Sequence, residues 1–267
     1  MARFNYELTM AKIEKFKNER RGEGDLETYK PWITVRDLAS KGRSSREFGV
    51  KVKREYHLLS DLERYFFYIA EWSDNIVDIK EQFPILEREK TMEIAEILGF
   101  KHPKDTKTKV NAVVTVDFLI SFKNKEGEIK TVGRSIKPSS ELIKKRTIEK
   151  LLIEKHYFES IGIDWAIVTE REINKNLAVN IQELREYLLR ENQIDKGVTD
   201  FLLSKMKTLS KEGVIMEDIK HISQVEGFRL DELLTALKVL IATKQIPFNL
   251  NQRLDFNKTW SFYKIGG

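Results

Sequence analysis

The apolar positions of the chain fall into segments of two periods, and together they predict a layered α/β core followed by a helical region. Residues 112–122, AVVTVDFLISF, are apolar on both faces, as a strand covered on both sides would be. EIKTVGRSIKP follows after the turn NKEG at 124–127 and reads as its hairpin partner, ending at Pro138. IVDIKEQFPIL at 76–86 reads as a strand ended by Pro84, and IDWAIVT at 163–169 as a buried strand. Helices alternate with these strands. Ser60 opens one through the capping box S-D-L-E, and the RYFFYIAEW that follows is apolar or aromatic nearly all round, as a buried helix is. TMEIAEILGF is a helix stopped at Gly99, and a long helix runs from Ser140 to about Ser160, stopped by Gly162. Upstream, residues 2–20 form a helical lead of mixed charge, RGEGD a flexible break, and YKPWITVRDL a short capped helix with Pro31 and Thr34 at its start.

After Asn174 the texture changes. NLAVNIQELREYLLREN is an amphipathic helix; FLLSKMKTLSKEG, VIMEDIKHIS and DELLTALKVLIATKQ are three more helical segments. IPFNL and TWSFYK follow as two short strands around a polar loop. Three helices and a hairpin resemble a winged helix. At 267 residues two domains are expected, a catalytic one over 1–169 and a mainly α, winged-helix-like one over 170–267.

Composition narrows the function. No apolar run approaches the roughly 20 residues that span a bilayer, and the amino-terminal segment lacks the apolar stretch of a signal peptide. The chain has no cysteine, which excludes disulfides, zinc ribbons and thiol catalysis. A cytoplasmic protein without membrane contact is expected. Net charge is +5, with 32 basic against 28 acidic residues over 1–169 and 15 against 14 over 170–267. Such a balance supports only modest affinity for nucleic acid. The near-neutral carboxy-terminal region leaves protein docking and DNA contact both open. The four histidines, at 57, 102, 156 and 221, form no zinc pattern, and no phosphate-loop or dinucleotide motif is present. No small-molecule substrate is indicated.

The candidate chemistry rests on Glu63 in HLLSDLE, Asp117 in VTVDFLI and Lys137 in RSIKP. Two carboxylates and a lysine are what a metal-dependent phosphodiesterase needs: oxygens to hold Mg²⁺ and an ammonium where charge builds up on the attacked phosphate. Asp117 lies inside an apolar strand, where an unpaired carboxylate is costly, so it requires a cation. A structural Asp–Lys pair is the plainer alternative. The hairpin brings Lys137 level with Asp117, since both lie roughly ten residues from the turn. For Glu63 the plainer alternative is a capping carboxylate returning to the Ser60 amide. Lys41–Arg54, KGRSSREFGVKVKR, holds six basic residues in fourteen. It reads either as a solvated loop or as an arm that grips phosphates through Arg43, Arg46, Lys51 and Arg54 without reading bases.

This carboxylate–lysine pattern is that of the PD-(D/E)XK nucleases. PWITV, GRSSR, HLLSDLE, EW, DIKEQFPIL, KHP, VDFL, IKP and RTIEKLLIE stand in the order found in the TnsA endonuclease family, and the chain resembles that family from about Tyr29 to about Leu188. The resemblance implies a type II restriction endonuclease-like amino domain with a mixed sheet and a winged-helix-like carboxy domain. It implies a Mg²⁺-dependent endonuclease, with Mn²⁺ as a substitute, that hydrolyses the strand at the 5′ ends of a transposon. The implied partners are transposon-end DNA, a DDE-type transposase, TnsB, and an AAA ATPase regulator, TnsC. Carried over by motif position, Glu63 and Asp117 are metal ligands and Lys137 orients or deprotonates the attacking water or stabilises the pentacovalent phosphate. Glu149 in RTIEKLLIE is implied as a secondary residue facing the site.

Two positions depart from the pattern. Val116 replaces the proline, and Ser135 stands where an acidic residue or Gln is expected. Serine is a weak ligand, so the metal would rely on the Ile136 carbonyl, a water and Glu63. The rival readings are a catalytically weak DNA-binding adaptor of a transposase complex, which Ser135 favours, and a free-standing restriction or repair nuclease.

Overall fold

The computed structural model describes residues 3–4, 7–39, 43–189 and 195–263. Parts of the predicted lead at 2–20, of the basic stretch 41–54, of the helix at 176–192 and of TWSFYK lie outside the described residues. The chain divides into two compact units, residues 1–173 and 174–267. Among the described residues no helix is long and apolar enough to cross a membrane.

The first unit begins with β1 (Arg3–Phe4), α1 (Met10–Asn18) and β2 (Leu38–Ala39), β1 and β2 pairing antiparallel. The helix expected over YKPWITVRDL does not form. The Asp37 carboxylate accepts from the Thr34 amide at 2.9 Å, the Thr34 hydroxyl at 2.8 Å and the Arg21 guanidinium at 2.7 Å, closing the segment into a turn. Trp32 is thereby delivered edge-on to Phe16 of α1, with ring centroids 5.3 Å apart.

The basic stretch is not a loop either. Its described residues form the hairpin β3 (Ser45–Phe48) and β4 (Glu55–Leu58), paired from Ser45↔Leu58 to Phe48↔Glu55. Tyr56 and Leu58 of β4 are buried. The aromatic helix α2 (Asp61–Trp72) follows, with the Phe67 ring tilted against Tyr56 and the Phe66 ring against Phe118 of the sheet.

The main sheet contains β5 (Ile76–Ile85), β6 (Val114–Lys123), β7 (Ile129–Ile136) and β8 (Asp164–Val168) in that spatial order. The first two pairings are antiparallel and β7–β8 is parallel, so the sheet is mixed. β5 runs through Pro84, which pairs with Thr115, where a strand end is expected from sequence. The sheet order explains this: β5 is an edge strand, and the amide that proline lacks is not needed there. The β6–β7 turn is closed by Asn124, whose amide side-chain oxygen accepts from Glu126 and Glu128, and by Gly127 at φ +83°. α3 (Arg88–Ile97) packs against α4 (Lys145–Ser160), and α4 against β6 and β8. Gly133 of β7 is required for this packing, because a Cβ there would meet the Trp165 ring at 2.9 Å. α4 begins at Lys145 instead of Ser140; residues 139–141 form a single 3₁₀ turn after Pro138.

The second unit contains α5 (Lys175–Leu189), α6 (Lys196–Met206), α7 (Ile215–Glu226), α8 (Leu230–Ala242) and α9 (Trp260–Tyr263). The apolar α8 is its centre, packed on by α5, α6 and α7. The strands expected over IPFNL and TWSFYK are absent among the described residues, where Thr259 makes an isolated antiparallel bridge to Val214. The backbone there is held another way. Buried Asn180 donates to the carbonyls of Leu250 and Gln252 and accepts from the Leu254 amide and Arg253. Residues 260–263 are helical, and Tyr263 stacks on Phe248 with centroids 4.4 Å apart.

Candidate active site

Asp117 sits in β6 and Lys137 immediately past the end of β7. The β6–β7 pairing stops at Phe118↔Arg134, and beyond it the Ile136 amide donates to Asp117 Oδ2 at 2.6 Å. The Lys137 ammonium donates to the same oxygen at 2.5 Å and to the Ile136 carbonyl at 3.0 Å. Asp117 Oδ1 has no hydrogen-bond partner among the described residues. Burial alone would push the Lys137 ammonium down, but the charges of Asp117, Glu154 and Glu63 outweigh it and hold the pKa above the ordinary lysine value.

Glu63 is the third residue of α2. The helix start is double: Ser60 Oγ accepts from the Glu63 amide at 3.2 Å and donates to Glu63 Oε1 at 2.9 Å. Oε2 accepts from the Leu59 amide at 3.0 Å, so the capping contact reaches one residue further back than the Ser60 amide. It also accepts from the Gln82 side-chain amide at 3.4 Å. The Glu63 carboxyl nonetheless interacts through its charge with Asp117 and Lys137. Burial first, and then the charge of Asp117, raise its pKa to about 7 against the lowering effects of the Leu59 amide, Lys137 and Ser60.

The structure adds a third carboxylate that sequence reasoning missed. Glu154 of α4 is buried and accepts from the Ser135 hydroxyl at 2.5 Å. Burial, with the charge of Asp117 added, pushes its pKa up to about 8 against the opposing effects of Lys137, Ser135 and Lys150. A sequence signal for it exists: Glu154 falls on the buried stripe of α4 together with Leu151 and Phe158. Glu149 lies on the same helix but pairs with Arg146 at 2.8 Å. Lys150, one turn before Glu154, is lowered to about 8 by burial, by Arg146 and by Lys137, against the raising effect of Glu154.

Three carboxyl groups, Glu63, Asp117 and Glu154, therefore interact with the Lys137 ammonium and, at Glu154, with Lys150, a formal excess of negative charge that the raised carboxyl pKa values partly discharge by protonation. A divalent cation would balance it, and oxygen donors suit a hard one. Among the described residues no group of three or more acidic, His or Cys side chains is close enough to cage a metal by itself.

The basic residues divide. Arg43 is exposed, and the Arg46 side chain is half exposed with Glu55 at 3.7 Å. Lys51 donates to the carbonyls of Ser73, just past the end of α2, and of Ile76, the first residue of β5. Arg54 is a correction to the phosphate-gripping reading. Its guanidinium is buried against Glu81, at 2.5 and 2.9 Å, and donates to the Ile79 carbonyl at 2.7 Å. The fully buried Glu81 carboxylate would be left unpaired without it, so Arg54 anchors the hairpin to β5.

Residues 73–170 match the model of the family described as TnsA-like endonuclease N terminal. That span includes Asp117, Ser135, Lys137 and Glu154, while Glu63 lies before it. The chain is also similar to the transposon Tn7 transposition protein TnsA of Escherichia coli, with 33% identity over 260 residues, covering 97% of this chain and 93% of that protein.

Proposed function

The chain belongs to the TnsA family of transposition endonucleases, and from that premise we propose that it hydrolyses the strand at the 5′ ends of a transposon in a Mg²⁺-dependent reaction. The observation that supports this most is the Asp117–Lys137 contact, with two further buried carboxyl groups electrostatically coupled to it. Mg²⁺, or Mn²⁺ in its place, would be held by Glu63, Asp117 and the Ile136 carbonyl, with Glu154 supplying the charge that Ser135 lacks; it would activate water and neutralise the attacked phosphate.

The residues of the chain divide the remaining work. The carboxylates around it hold the Lys137 proton more tightly than usual, so in this reading it serves as a positive charge beside the phosphate. Its two acceptors, Asp117 Oδ2 and the Ile136 carbonyl, aim it. The Ser60 hydroxyl and the Leu59 amide hold the two oxygens of Glu63 in place for metal binding. Arg43 and Arg46 on the hairpin side contribute phosphate contacts that set register and not sequence.

The partners in this reading are a DDE-type transposase of the TnsB kind, which cuts and joins the 3′ ends, and an ATPase regulator of the TnsC kind. The small net charge of +5 favours delivery by partners over independent DNA binding. Placement of Glu154 against Ser135 weighs against a catalytically weak adaptor, because the missing strand carboxylate has a substitute on the helix. The test is strand-resolved cleavage of transposon-end DNA with purified transposase and ATPase. Loss of the 5′-strand nick in Asp117→Ala, with 3′-strand cleavage retained, is the expected result.

A further inference from the structure

Five non-glycine residues among those described have positive φ: Arg20, Leu26, Gln82, Lys109 and Lys244. Four of them are exposed and lie outside strands. Gln82 differs on both counts. It lies inside β5, is 2% exposed and has φ +49°, a region that L side chains with a γ-carbon enter at a cost. The pairs Glu81↔Phe118 and Phe83↔Val116 bracket it, which sets Gln82 across from Asp117. Its carbonyl accepts from the Trp32 amide at 3.2 Å, and its side-chain amide donates to Glu63 Oε2. An ionised carboxylate has only acceptors, so the nitrogen end of the Gln82 amide must face it. The oxygen end has no partner among the described residues, although the residue is buried.

A strand interior has no folding reason to select glutamine in a left-handed conformation; glycine would adopt it without strain. Strain retained at a buried residue that touches a functional carboxylate points to function. We propose that Gln82 is a positioning residue for the site, whose amide fixes the Glu63 carboxylate in the orientation needed to bind the divalent cation. This inference rests on the metal-dependent reading above. The 3.4 Å separation is long, as hydrogen bonds to catalytic groups often are before metal and substrate are in place.

The test is Mn²⁺ binding to the full chain by calorimetry, without DNA, alongside thermal melting. Gln82→Met keeps side-chain length and removes the amide; Gln82→Gly removes the amide and relieves the backbone. Both are expected to weaken Mn²⁺ binding about tenfold, the usual effect of losing an outer partner of a metal ligand. Gln82→Gly is expected to melt no lower than the wild type, which keeps the comparison valid should the Met variant fold poorly. In a Glu63→Gln background, adding Gln82→Gly should cause no further loss. Wild-type Mn²⁺ affinity in Gln82→Gly, or an equal further loss without the Glu63 carboxylate, would overturn the proposal. A wild-type chain that binds no Mn²⁺ would overturn the metal-dependent reading itself, and this inference with it.

Discussion

The Ser135 hydroxyl donates to Glu154 Oε2 at 2.5 Å, joining the strand position that lacks a carboxylate to a helix position that has one. In the proposed site Glu154 of α4 supplies the negative charge that Ser135 of β7 does not, and its charge acts on Lys137. Glu154→Gln is therefore expected to lower 5′-strand cleavage by about 10- to 100-fold, and Ser135→Ala, which only loosens Glu154, by about tenfold or less. Single-turnover cleavage rates at saturating Mg²⁺ check the order of the two. A Ser135→Ala loss larger than that of Glu154→Gln would make Ser135 the direct ligand.

Removal of Lys137 has two expected consequences. Loss of a charge beside the transition state costs about 3–4 kcal/mol, a fall of roughly 10² to 10³ in rate. It also leaves Asp117 paired only with the Ile136 amide, so Lys137→Ala should melt below the wild type, whereas Asp117→Asn should fold well and still fail to cleave. Melting curves and rates measured on the same preparations separate these effects. Arginine is a poor rescue, since its planar fork does not fit the acceptor pair that a compact ammonium satisfies.

The hairpin residues should separate by burial. Arg54→Ala strands the buried Glu81 carboxylate and should destabilise the first unit by about 3–5 kcal/mol, read by denaturant unfolding. Arg46→Ala, half exposed, should change stability by less than about 1 kcal/mol. Arg46→Ala should instead reduce the salt dependence of DNA binding within the assembled complex by about one phosphate contact. An unchanged salt slope would return Arg46 to a solvated surface role.

The raised carboxyl groups give the metal-free protein a pH dependence of definite sign. Glu63 and Glu154 titrate near 7 and 8 in the folded chain and near 4.5 when unfolded. Between those values the native state binds more protons than the unfolded state, so stability is greatest below about pH 4.5 with respect to these groups and falls as pH rises toward 8. Mg²⁺ binding should release protons at pH 7 and tighten with pH, because the ligands must ionise. Calorimetry in buffers of different ionisation enthalpy measures the release. Binding that is independent of pH from 6 to 9 would contradict the shared-charge account.

Much of this site is legible in the sequence because it depends on local rules. A short turn closed by Asn124 and Gly127 joins two regular strands, so Asp117 comes opposite the end of β7, with Ser135 across from it and Lys137 two residues on, and a capped helix start places Glu63 in the first turn of α2. What is not legible depends on tertiary context. Pro84 looks like a strand end until β5 is known to be an edge. Arg54 looks like part of a basic arm until Glu81 is seen beneath it. Glu149 and Glu154 lie five positions apart in one motif, and helix rotation separates them: one pairs with Arg146, the other joins the buried stripe. In the second unit, short apolar segments that look like strands are held irregular or helical by Asn180 and Tyr263.

The central claim is that the carboxylates grouped around Lys137 cut the 5′ strand at transposon ends. It is tested most directly by incubating end-labelled transposon-end DNA with Mg²⁺ and purified transposase and ATPase, adding either the wild-type chain or Asp117→Ala. A 5′-strand nick with the wild type that is lost in Asp117→Ala and on chelation of the metal, together with 3′-strand cleavage in both, is the result expected here. A 5′-strand nick of undiminished rate in Asp117→Ala would contradict the account.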